Sequence, residues 1–208
     1  MPPTAAPPRS PAPRGPHRDG AETKRRILTA AEDVVLRDGV GHLTLDAAAA
    51  QAGLSKGGVL YHFPSRDALV AGMVDKIIDE FETDIARHLP IVGSPESATP
   101  GSFTRAYVRA TVEPADPVGP GASRQDRLGA ALIAAAAAEP ELLVPLQEAA
   151  GRWQASLVAD GLDPVLATVL RLACDGLWMC DLFGLAPPSG TRREAVGAAL
   201  LRMAGDPT

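Results

Sequence analysis

Four residues in quick succession, Thr44, Gly53, Ser55 and Pro64, cut one stretch of the chain into two short helices with a tight corner between them. Thr44 and Ser55 are good N-caps, glycine favours a helix end, and proline cannot continue a helix. The piece "LDAAAAQA" and the run that Ser55 caps and Pro64 stops are therefore two brief helices joined by a short glycine-containing turn, the helix-turn-helix unit. Upstream, "TKRRILTAAEDVVLRDG" puts Ile27, Leu28, Ala31, Val34 and Val35 on one helical face. Asp19 with Glu22 fits the start of that helix, and Gly39 followed by Val40 fits a Schellman ending. Ser65 opens a fourth helix, where Leu69, Met73, Ile77, Phe81 and Ile85 recur every fourth residue as a core-facing stripe.

Nothing in the chain alternates like a strand. Aromatics make up 4% of 208 residues, and alanine and leucine dominate the apolar set, so the expected class is all-α. Past a loop at 89–102, helical runs begin at "FTRAYVRATVE" and, after a Pro/Gly-rich loop to about Ser123, at "RQDRLGAALIAAAAA". Pro145 should kink or restart the run "ELLVPLQEAAGRWQASLVADG". The run from Asp163 to Ala186 is apolar nearly all round and is expected to be buried, and a last helix follows Gly190.

The net charge of −5 hides an asymmetry: nine basic against six acidic residues through Arg66 give +3, and the remainder carries −8. Two parts with two kinds of partner are implied. Cys174 and Cys180 match no zinc or redox spacing and read as small buried apolar residues. Histidines occur at 17, 42, 62 and 88, none in the second half, and no nucleophile elbow or phosphate loop is present. We expect no catalysis, no metal and no cofactor. The Pro-rich opening, with Arg9, Arg14 and Arg18, lacks the apolar middle of a signal peptide, and no stretch suits a membrane span, so a cytoplasmic protein with no membrane partner is expected.

Gly57 and Gly58 raise the sharpest question, since each costs about 1 kcal/mol against alanine inside a helix. Glycine lets a backbone approach a phosphate with no Cβ in the way. Tyr61 and His62 can donate to phosphates or to base edges in the major groove. On this reading Val59, Leu60 and Phe63 pack inward, Lys56, Tyr61 and His62 face out, and Thr44 and Arg66 touch the DNA backbone on either side.

Residues 23–69, "TKRRILTAAEDVVLRDGVGHLTLDAAAAQAGLSKGGVLYHFPSRDAL", resemble the DNA-binding domain of the TetR family of bacterial transcription regulators. The resemblance implies that the third helix reads the groove and that Thr44, Ser55, Lys56, Gly57, Gly58, Tyr61, His62 and Arg66 lie at double-stranded operator DNA. It departs in "DAAAAQA", whose small side chains should pack loosely where the family often has isoleucine or valine. The implied division is 1–20, a disordered basic arm; 21–66, the helix-turn-helix domain; and 67–208, a helical bundle for ligand binding and dimerisation. A homodimer would form through 163–185 and 190–204, and a small-molecule effector would sit between central helices. Phe103, Tyr107, Trp153, Asp175, Trp178, Met179 and Leu182 are the candidate effector contacts, the last four on one helical face, while Asp175 has the alternative of pairing with Arg171 one turn earlier. The expected function is a ligand-released repressor; a ligand-independent activator or architectural protein, or a helical small-molecule carrier, are the alternatives.

Overall fold

A computed structural model describes residues 16–91, 93, 99–113 and 124–205. Among the described residues the chain forms nine α-helices and two 3-10 turns, with no strand: α1 (Pro16–Asp38), α2 (Leu45–Ala52), α3 (Lys56–His62), α4 (Arg66–His88), α5 (Ser102–Val112), α6 (Arg124–Ala136), α7 (Val144–Val158), α8 (Pro164–Phe183) and α9 (Thr191–Met203). The 3-10 turns are Val40–His42 and Pro140–Leu143. None of the helices is long and apolar enough to cross a membrane.

α1 starts earlier than Asp19. Pro16, the first residue described, is already helical, so Asp19 lies within the helix and is not its cap. Residues 1–15 of the expected arm lie outside the described residues, and 16–20 are helical. The α1 ending also differs: Gly39 has φ 88° and ψ 159°, away from the left-handed helical region. The Schellman geometry belongs to α2 instead. Gly53 sits at φ 63°, ψ 39°, its N–H reaches Ala50 O at 3.2 Å, and the Leu54 N–H reaches Ala49 O at 2.9 Å.

Two cores hold the molecule together. The first gathers Ile27, Ala31, Val34, Leu43, Val59, Phe63, Leu69 and Met73, and runs on into Leu128 and Leu132 of α6. The second gathers Ile85, Tyr107, Val108, Leu157, Leu170, Cys174 and Leu201. α4 belongs to both: its stripe is buried at Leu69, Met73 and Ile85 and half-buried at Ile77 and Phe81. The change from one core to the other falls along this helix, between Ile78 and Ile85. Gly72 lets α4 lie close against α3 and α1, since a Cβ there would come within 2.8 Å of the Phe63 ring and 3.1 Å of Leu28.

Pro145 lies in the first turn of α7, directly after the second 3-10 turn, and restarts the helix. α8 departs from the expectation of burial all round. Ala167, Leu170, Cys174 and Leu182 are buried, but Val165, Val169, Leu172, Met179 and Phe183 are exposed, on a stripe of steps of three, four and seven. Of the two cysteines, Cys174 is buried and Cys180 half-buried.

Candidate functional site

The helix-turn-helix is built by three hydroxyl caps. Thr44 Oγ1 accepts from the Ala47 N–H at 3.0 Å, Ser55 Oγ from Gly58 at 3.1 Å and Ser65 Oγ from Ala68 at 3.0 Å. Each satisfies one N–H that a helix start leaves without an intrahelical partner. Arg26 of α1 ties the corner from behind, donating to Ala52 O at 2.9 Å and Gly53 O at 3.2 Å, at the end of α2. Ala48, Ala49 and Ala52 are buried, so short side chains bring α2 close to α1.

α3 then presents its outer face. Val59 and Phe63 are buried, while Tyr61 is 85% exposed and stands edge-on to half-buried His62 with ring centroids 5.1 Å apart. Leu60, expected inside, is 40% exposed, because the inward arc of a seven-residue helix is already filled by Val59 and Phe63. A Cβ on Gly57 would meet nothing closer than Ser55 Oγ at 4.0 Å, so packing within the chain does not require glycine there. Lys56 is exposed and bridges to Asp46 of α2 at 2.8 Å.

Arg66 has partners within the chain. Its guanidinium forks onto Glu139, Nη1 to Oε2 at 2.7 Å and Nη2 to Oε1 at 3.3 Å, and Nη2 also donates to Val40 O at 3.3 Å. The hydrogen bond to Glu139 raises the arginine's pKa above its ordinary value. The residue thus joins the start of α4 to the segment after α6. A second junction sits at the other end of α6, where Arg124 reaches Asp33 Oδ1 at 2.7 Å and Glu32 Oε2 at 3.4 Å. Glu32 is 3% exposed and also accepts from Lys76 at 2.6 Å. Sequence reading missed these ion pairs because their members are more than forty residues apart. One signal was available: Glu32 falls between Leu28 and Val35 on the apolar face of α1, where a carboxylate is out of place unless paired.

Of the candidate effector contacts, Tyr107 and Trp153 come together around Phe81 of α4. The Phe81 ring lies 5.2 Å from Tyr107 and 5.1 Å from Trp153, both edge-on. The Trp153 Nε1–H donates to Glu82 Oε1 at 3.1 Å, an acid that sequence reading did not select. The Tyr107 hydroxyl donates to Asp175 Oδ1 at 3.0 Å, and burial pushes its pKa well above the phenol range. Asp175 also takes Arg171 at 2.5 Å, the alternative pairing one turn earlier, and Arg171 continues to Gln154 Oε1 at 2.6 Å. Trp178 and Leu182 face α6, where a Cβ on Gly129 would lie 3.1 Å from Leu182 and 3.9 Å from Trp178. Met179 is exposed and lies on the outward stripe of α8 with Leu172 and Phe183. Phe103 is half-buried against the second core. Two concavities lie away from these residues, one between α1 and α2 near Arg26 and Gln51, the other between Ala68 and Ala71 of α4 and Leu142 and Pro145.

The family described as "Bacterial regulatory proteins, tetR family" matches residues 27–73, and "Tetracyclin repressor-like, C-terminal domain" matches residues 101–205. Among solved structures, a member of the TetR family from Streptomyces coelicolor is similar at 25% identity and TM-score 0.64, covering 88% of this chain and 98% of its own. The multidrug binding protein EbrR complexed with imidazole aligns at 24% identity and TM-score 0.58, over 86% and 93% of the two chains. GusR of Salmonella enterica aligns at 19% identity and TM-score 0.62, over 88% and 96%. No curated protein matches the sequence.

Proposed function

Because the chain belongs to the TetR family of bacterial transcription regulators, we propose that it is a homodimeric repressor that holds a near-palindromic operator until a small molecule releases it. The observation that carries the DNA contact is the outer face of α3: a flush Gly57 beside an 85% exposed Tyr61. Tyr61 and His62 supply hydrogen-bond donors, with Thr44, Ser55, Lys56 and Gly58 around them. Arg66 joins them when DNA competes for it against Glu139.

The dimer is supported by the outward stripe of α8. An apolar row of Val165, Val169, Leu172, Met179 and Phe183 is the kind of surface a second copy covers. Pairing through 163–185 and 190–204 would set two copies of α3 about 34–36 Å apart, one turn of the duplex.

The effector reading rests on the aromatic cluster and its two acids. A ligand with a cationic or hydrogen-bonding tip would take the place of Tyr107 and Arg171 at Asp175, or of Trp153 and Arg152 at Glu82. Phe81 and Glu82 belong to α4, so a shift there would be carried towards α3. Release can be no larger than the ligand's difference in affinity for the two arrangements.

The test is binding to DNA beside the coding region at physiological salt. The wild type should bind, with affinity falling steeply as salt rises. Tyr61→Ala should weaken binding at least tenfold at unchanged melting temperature, because that side chain touches little of its own protein. A monomer in solution, or Tyr61→Ala binding as the wild type does, would overturn the reading.

A further inference from the structure

We propose that Leu60 reads the 5-methyl group of a thymine in the major groove and so sets base preference at one position of each half-site. The inference rests on the DNA-binding reading above and adds a specificity residue to it.

Leu60 shares a helical face with Gly57 three residues before it and with neighbouring Tyr61, four on from Gly57. Gly57 contributes no side chain, so nothing from that position covers the exposed 40% of Leu60. Inward, Val59 and Phe63 are buried and already fill the first core. The other side chains of α3 are polar or committed: Lys56 is bridged to Asp46, and His62 is set edge-on against Tyr61. Among the described residues of α3, Leu60 is the exposed aliphatic group.

In the major groove an aliphatic side chain has one partner it can favour. Each base pair offers donors and acceptors, and thymine adds a methyl group. Against guanine, adenine or cytosine, a leucine would strip water from a donor or acceptor and return no hydrogen bond. Against thymine it covers one methyl, which changes affinity by about fourfold per half-site. Tyr61, with its hydroxyl, remains free to make the polar contact next door.

The test uses the full-length protein and a randomised duplex library, from which tight-binding sites are selected. In the selected duplex each thymine is then replaced by uracil, which removes the methyl and leaves every hydrogen-bonding atom in place. One symmetric pair of positions should weaken wild-type binding about tenfold or more when both half-sites are replaced. Leu60→Ala should bind the thymine and uracil duplexes alike, and Leu60→Asn, which keeps the side chain's size and branching but loses the apolar surface, should do the same. Tight wild-type binding in which no uracil replacement depends on residue 60 overturns this inference and leaves the DNA-binding reading intact. A library from which no duplex is enriched overturns both.

Discussion

Glu139→Gln separates the two roles open to Arg66. The fork between them is good, with contacts of 2.7 and 3.3 Å, but the side chains are 27% and 39% exposed, so solvent screens the pair. Exposed pairs contribute 0.2–1 kcal/mol, and bidentate geometry places this one at about 1 kcal/mol. For a chain of this size that lowers the melting temperature by about 2–4 °C. DNA affinity should move the other way. A phosphate and Glu139 compete for one guanidinium, and neutralising the carboxylate removes a competitor worth about 1 kcal/mol, or about fivefold in affinity. One additional phosphate contact also steepens the log–log salt dependence by about 0.9. Thermal melts and fluorescence anisotropy on a labelled duplex at several salt concentrations measure all three quantities. Arg66→Ala in both backgrounds closes the cycle, because the gain must vanish with the arginine. A variant that melts lower yet binds with unchanged affinity and slope would refute the competition. Weaker binding would mean that the pair holds the DNA-binding unit in its working position.

Three further outcomes are expected. Gly72→Ala should destabilise the protein by about 1–3 kcal/mol in urea unfolding, since its methyl would press on the Phe63 ring inside a filled core. Glu32→Ala should cost about 1–2 kcal/mol in the same measurement, because Lys76 and Arg124 lose a charged acceptor but are part-exposed and keep Glu80 and Asp33. Cys174 is held protonated by burial, its pKa pushed up from 9.0 to about 11. Above pH 9 the unfolded thiol ionises while the folded one does not, so this group's stabilisation is complete below pH 9 and lost as pH rises through 11. Cys174→Ala should flatten that decline in urea titrations, and the wild-type thiol should resist alkylation at pH 8 until the protein unfolds.

Caps and periodicity made the helix-turn-helix legible. Thr44, Ser55 and Ser65 act on N–H groups three residues away, and Gly53 ends α2 through bonds inside six residues, so the information is local. Asp19 was read as a cap but lies inside α1, because an acid in the first turns of a helix is favoured there as it is at the cap. Leu60 was placed inside because hydrophobicity suggests burial without saying which arc of a short helix has room.

By itself the sequence determined the all-α class, the order of the helices, the corner between α2 and α3, and the outward place of Tyr61. Tertiary structure alone decided that Arg66 meets Glu139, that Glu32 gathers Lys76 and Arg124, that Phe81 joins Tyr107 to Trp153, and that one stripe of α8 stays uncovered. The physical reason is range. A helix and its caps are chosen by interactions within a few residues, whereas an ion pair between distant residues exists only after packing has brought the helices together.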